Sequence, residues 1–276
     1  MPFPALRYCG SRLAHGLSDC WASTIQIEPP GWDALRQELD LWLKHGRKAR
    51  FWWRDDDARA ASPALDRLLD LRASLGLPIA LAVIPEGADL SLKHRLVRAD
   101  RVRILQHGWS HINHARPGRA EAELSASRQP AAVHAELAEG RRRLTSLFGD
   151  SFLPVLVPPF GRLAWHLAKT VEQIGYRFIS GGGDFPGLPL PSRNVHIDVI
   201  NWRTRRAAEP AEIVRAAVAA LKLRRAGIVS AESPIGVMTH HLDHDAAAWS
   251  LVEELLERLA GHPTVLIPEV DDIFAA

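Results

Sequence analysis

The chain has 276 residues, 47% of them hydrophobic, with 34 Lys and Arg against 32 Asp and Glu, a net charge of +2. That length fits one large α/β domain with a sizeable core, which excludes wholesale disorder. The near balance of charge argues against nucleic acid or an anionic membrane as partner, and no run reaches the roughly 18 apolar residues of a membrane helix.

Residues 1–28 show no clear periodicity and read as an irregular extension; residues 29–276 read as one domain. The extension holds both cysteines, Cys9 and Cys20, and is compatible with a disulfide or with two thiols. It lacks a basic start followed by an apolar run, so no signal peptide is expected and the expected location is cytoplasmic. Pro30 and Gly31 introduce a helical pattern with Trp32, Leu35, Leu39, Trp42 and Leu43 on one face. Short apolar runs then recur at Phe51–Trp53, Ile79–Ile84, Val102–Leu105, Leu153–Val157, Val195–Ile200, Ile235–Met238 and Thr264–Ile267. Amphipathic segments separate most of them, with helix starts at Ser62-Pro63, Asp89 and Pro210. The basic clusters Arg141–Arg143 and Lys222–Arg225 fall within helical patterns and read as solvated faces. Strands this apolar, alternating with helices, predict a parallel sheet covered by helices, and residues 49–272 are long enough for a (β/α) barrel.

In such barrels the chemistry lies where strands end, at one rim. Phe51-Trp52-Trp53-Arg54 runs straight into Asp55-Asp56-Asp57, three adjacent carboxylates that call for a cation or for Arg54. After Val102–Leu105 come His107, Trp109, His111 and His114; one helical turn would bring His107 and His111 to the same side, with His114 continuing that face. Two histidines and a carboxylate make an open metal site. Val157-Pro158-Pro159-Phe160-Gly161 reads as a rigid turn, and Asp198 to Trp202 places an aromatic beside polar groups. Thr239-His240-His241-Leu242-Asp243-His244-Asp245 is dense enough in titratable groups to suggest a second proton-handling element.

The order and character of these groups resemble the polysaccharide deacetylases, carbohydrate esterase family 4, over about residues 49–272. The family's Thr-Phe-Asp-Asp-Gly is similar to Arg54 to Ala58, its His-Ser/Thr-x-x-His to His107 to His111, and its Arg-x-Pro-Tyr/Phe to Val157 to Phe160. Its Asp-x-x-Asp-Trp resembles Asp198 to Trp202, and its closing apolar run and His resemble Met238 to His240. The resemblance implies an α/β fold, a distorted or incomplete (β/α) barrel of about seven parallel strands with outer helices. It implies a polysaccharide-deacetylase-like catalytic domain over residues 29–276 that removes an acyl, chiefly N-acetyl, group from a carbohydrate or small N-acylated substrate. Asp57, His107 and His111 would hold a divalent metal, zinc in the first instance. Asp56 would be the base, His240 the acid, and the Phe160 N–H an oxyanion donor. Trp109, Pro159 and Trp202 would line the substrate, and Arg54, Asp55 and Asp198 would stand behind these groups. A register with Asp55 as the base is the other possibility. Two departures bear on activity: Val157 replaces the family's Arg, which Arg54 could replace, and Asn201 replaces an Asp. The alternative function is a metal- or carbohydrate-binding protein without turnover.

Overall fold

The computed structural model describes residues 31–275 except 184, 186 and 187. The extension over residues 1–28, with Cys9 and Cys20, lies outside the described residues. Helix α1 (Trp32–Lys44) precedes strand β1 (Ala49–Ala58), then α2 (Pro63–Leu75), β2 (Ile79–Val83), α3 (Leu90–Leu96) and β3 (Val102–His107). A long excursion follows, then α4 (Pro130–Phe148), β4 (Phe152–Val157), α5 (Ala168–Gln173) and β5 (Phe178–Ile179). The chain continues through β6 (Val195–Asp198), the short hairpin β7 (Ile200–Asn201) and β8 (Arg206–Ala207), α6 (Pro210–Arg225) and β9 (Ile235–Thr239). It ends with α7 (Ala246–Ala260), β10 (Val265–Leu266) and α8 (Val270–Ile273).

The main sheet is parallel, in the order β5-β4-β3-β2-β1-β9-β6, and β10 pairs only with the start of β1. This is a seven-strand, curled, incomplete barrel with outer helices. The expected run at Thr264–Ile267 is not one of those seven. The seventh is the two-residue β5, too short for an apolar run to reveal. The run Val195–Ile200 also breaks at Val199, and its far end turns out into the β7–β8 hairpin. Helix starts fall where the caps are: Ser62 accepts from the Leu65 N–H, Asp89 from Leu92 and Asp245 from Ala248.

Strand periodicity divides each strand between two cores. Phe51, Trp53, Ile79, Leu81, Val83 and Ile104 pack outward against the helices. Trp52, Ala80, Ala82, Leu105, Val155 and Val157 fill the barrel interior. The floor is a ring cluster: the Phe274 centroid lies 5.4 Å from Trp52 and 5.6 Å from Phe178, both near edge-to-face. Gly236 is needed at this level, because a Cβ there would come within 2.7 Å of Trp52 Nε1 and of the Val195 backbone. The same interior face of β1 continues as Arg54 and Asp56, two and four residues above Trp52. Period two thus carries the chain from hydrophobic plug to polar site.

Candidate metal centre and active site

Arg54 is buried and spans both Asp56 oxygens, with Nε to Oδ1 at 2.7 Å and a second nitrogen to Oδ2 at 3.0 Å. Its remaining nitrogen donates to Ser180 Oγ at 2.6 Å. Asp55 points the other way: it accepts from Thr239 Oγ1 at 2.7 Å and the His241 N–H at 3.0 Å, and its second oxygen takes the His241 ring Nδ1. Asp57 follows with a positive φ of 72°, at a shift in the β1–β2 register. That irregularity lets consecutive Asp56 and Asp57 both serve the rim. The three adjacent carboxylates therefore have three different partners, and Arg54 pairs only with the middle one.

Asp57 Oδ1 lies 3.2 Å from His107 Nε2 and 3.4 Å from His111 Nε2. The ligand atoms of these three residues lie within 4.8 Å of one another. His107 Nδ1 sits 3.0 Å from the Val157 carbonyl, which can only accept, so a neutral His107 turns a lone pair on Nε2 toward Asp57. Two lone pairs then face each other across 3.2 Å, and Asp57 Oδ1 is buried with no hydrogen-bond partner. A cation must sit between them, whether a proton or a metal, and the donor set of one carboxylate and two imidazoles suits a divalent metal. Burial opposes charge on both Asp57 and His107, yet their mutual attraction prevails: Asp57 is held well below the usual carboxylate range and His107 is raised. His111 is lowered, by burial first and by His107 second, which keeps it in the neutral form a metal needs.

No helical turn brings the two histidines together. Gly108 (φ 57°) and His111 (φ 60°) both have left-handed backbones, and the loop is gathered instead around a carboxylate that the motifs do not include. Glu123, fully buried, accepts the N–H groups of Trp109 at 2.7 Å, Ser110 at 3.4 Å and His111 at 2.7 Å. Burial raises its pKa, and those three backbone donors oppose the rise. A Cβ on Gly108 would fall 2.5 Å from Pro159 Cγ and 2.6 Å from Glu123 Oε2, so a hydroxyl side chain cannot stand there. The only signal for Glu123 in the sequence is an acid between two apolar positions. His114 leaves the site; its backbone bonds to Ala122, Ser125 and Ser127.

The ring of Phe160 (φ 58°) lies 4.4 Å from that of His111, tilted by 47°, and Pro159 is the buried wall against Gly108. Trp109 is half-buried, and its carbonyl accepts from Glu86. Opposite, His240 Nε2 lies 4.0 Å from Asp56 Oδ2, and the Trp202 ring stands edge-on 4.5 Å from the imidazole. Asp198 takes the Trp202 indole N–H at 2.7 Å and the Ile200 N–H at 3.0 Å, and no described hydrogen bond joins it to His240, whose buried Nδ1 has no partner. Burial is the main influence raising Asp198, while His240 and the two donors pull it down. His241 is the buried partner of Asp55, and His244 packs edge-on against Trp249 at 4.6 Å.

A family 4 acetyl xylan esterase from Clostridium thermocellum, in complex with a cobalt ion, superposes with a TM-score of 0.54 at 13% identity, over 82% of this chain and 90% of that one. The fold is that of the family 4 carbohydrate esterases. A second structure with this fold is the family 4 carbohydrate esterase from Streptomyces lividans in complex with acetate, with a TM-score of 0.51 at 15% identity over 80% of this chain and 91% of that one. A third, a mutant of a family 4 pseudoenzyme with restored enzymatic activity, has a TM-score of 0.55 at 11% identity, covering 83% of this chain and 68% of that one. No family model and no curated protein matches the chain by sequence. At these identities the family 4 likeness speaks for the fold alone. No helix among the described residues is long and apolar enough to cross a membrane.

Proposed function

We propose that this protein is a divergent polysaccharide-deacetylase-like enzyme, a metal-dependent hydrolase that removes an acyl group, N-acetyl foremost, from a sugar or related amide. The observation that carries the reading is the convergence of Asp57, His107 and His111 beside the Arg54–Asp56 pair, with His240 4.0 Å from Asp56. Asp57, His107 and His111 would hold a divalent ion, zinc being the first to test. Such an ion, when bound, lowers the pKa of a bound water and polarises the acyl oxygen.

Asp56 would take the proton of the attacking water, held in position by the two-pronged contact with Arg54. Asp56 suits that role better than Asp55, both of whose oxygens are engaged by Thr239 and His241. The Phe160 N–H would donate to the developing oxyanion, and His240 would protonate the leaving nitrogen as the C–N bond breaks. Val157, where the family has an Arg, keeps a structural role, because its carbonyl fixes the His107 tautomer, while Arg54 supplies the guanidinium from β1.

The test is acetate release from N-acetyl sugars and simple amides, measured beside metal content on the metal-loaded protein. Asp56→Asn and His240→Ala should each lower turnover about a hundredfold or more with metal retained, and His111→Ala should lose both. Release of no acyl group by a wild type that holds its metal would replace this reading with a binding protein. The unpartnered His240 Nδ1 is the observation that favours that second reading.

A further inference from the structure

Beside the metal cluster, and separate from it, runs a groove of about 1050 Å³. It begins at Gly161, next to the Phe160 ring that contacts His111, and the bridge between Leu124 and Leu163 lies in its lining. Among the described residues its walls combine alanines, leucines and Phe185 with Ser125, Ser127, the Trp165 indole and three arginines, Arg116, Arg119 and Arg162, and include no Asp or Glu. Trp165 is 85% exposed, and the one ring pair it makes among the described residues is edge-on to His166. Among the described residues none of the three arginines pairs with a carboxylate. Arg162 reaches only the carbonyls of Glu121 and Phe160.

Some exposed arginines elsewhere are paired, with Arg36, Arg142 and Arg258 each against an acid of its own helix, while Arg98, Arg177 and Arg215 have no carboxylate partner among the described residues. Across the rim, the β7–β8 hairpin that carries Trp202 exposes Arg203, Arg205 and Arg206, again without a carboxylate partner among the described residues. A chain of net charge +2 has thus gathered uncompensated guanidinium groups on both flanks of one cleft. Guanidinium forks match carboxylate and phosphate oxygens, and fields of one sign along a cleft raise the local concentration of an opposite charge.

We propose that the groove is a subsite for an anionic substrate: an N-acylated sugar or amide bearing a phosphate or carboxylate, its anion held by Arg116, Arg119 and Arg162 and its apolar face laid on Trp165. This rests on the reading of the neighbouring cluster as the acyl-hydrolysing centre, but it is tested by binding. The probes are N-acetylglucosamine, a phosphorylated N-acetylglucosamine and N-acetylneuraminate, titrated into the metal-loaded full chain by calorimetry, with the quenching of indole fluorescence in parallel.

The anionic probes should bind at least about tenfold more tightly than the neutral sugar at low salt, and the gap should close as salt is raised. The phosphate and carboxylate arms show which anion the groove prefers. Arg116→Gln, Arg119→Gln and Arg162→Gln together should erase the preference while leaving metal content and binding of the neutral sugar unchanged. Trp165→Phe should weaken all three probes. Equal binding of neutral and anionic probes, binding of none, or an equal loss for all probes in the arginine variant would each overturn the proposal. Selective anion binding without acetate release would leave it standing and sink the hydrolase reading instead.

Discussion

On the β1–β3 side of the rim the His107 ring, the His111 backbone and Asp56 are each held by a hydrogen bond to a further group, whereas the β6–β9 side depends on a histidine with an idle ring nitrogen. His107 is fixed through Nδ1 by the Val157 carbonyl, the His111 backbone by Glu123, and Asp56 by Arg54. His240 has only the edge of Trp202 and the distant Asp56, while Asp198 directs its hydrogen bonds to Trp202 and Ile200. The geometry of the candidate ligands is largely preset by the chain, and the proposed proton donor is held mainly by packing. Such a difference makes the two halves separable by mutation.

The largest effect should come from breaking the rigid half at its centre. His107→Ala should abolish metal binding, and Glu123→Gln should weaken it by about 10–100-fold, the usual range when a group supporting a ligand is lost. A Gln amide keeps one acceptor oxygen but sets its NH₂ against a loop N–H. Competition with a chelator measures both, and an unchanged affinity in Glu123→Gln would remove Glu123 from the account of that rigidity. Next is Arg54→Ala, which strands a buried carboxylate and should lower stability by about 3–5 kcal/mol, read from urea denaturation. Adding Asp56→Asn should return much of that loss, so a double-mutant cycle tests whether the pair acts as a unit.

Sharpening the comparison on the looser side calls for a smaller change. Asp198→Asn keeps an acceptor for the Trp202 indole, so turnover should fall by less than the about hundredfold expected on losing the acid itself, with metal content constant. A loss as deep as that of His240→Ala would show that Asp198 orients the imidazole electrostatically. The smallest effect concerns His244, which burial lowers from 6.5 to about 4. The folded state favours its neutral form, so its contribution is fully present above 6.5 and is lost as pH falls toward 4. His244→Gln should therefore flatten the decline of Tm across that interval, and an unaltered slope would rule His244 out as its source.

Much of this is legible in the sequence, for reasons that differ between elements. Strands β1, β2, β3 and β9 are buried on both faces and so read as apolar runs. Strand β5 escapes such a reading because two residues cannot carry a period. The apolar run at β10 misleads in the other direction, because pairing with the end of one strand gives it no place in the barrel. The convergence of Asp57, His107 and His111 is expected from motifs at strand ends. The loop that joins the two histidines suggests a helical turn because spacing alone does not reveal two left-handed residues. Glu123 is invisible for a related reason: its partners are backbone N–H groups, and backbone leaves no mark on composition.

Those left-handed positions carry a further consequence. Asp57, His111 and Phe160 all hold a positive φ without being glycine, an arrangement that costs of order 1–3 kcal/mol at each residue. Glycine at any of the three would relieve that strain, so drift toward greater thermal robustness runs directly against keeping these side chains. A lineage that no longer needed the centre would have three single-step routes to a tougher fold. This chain has taken none of them.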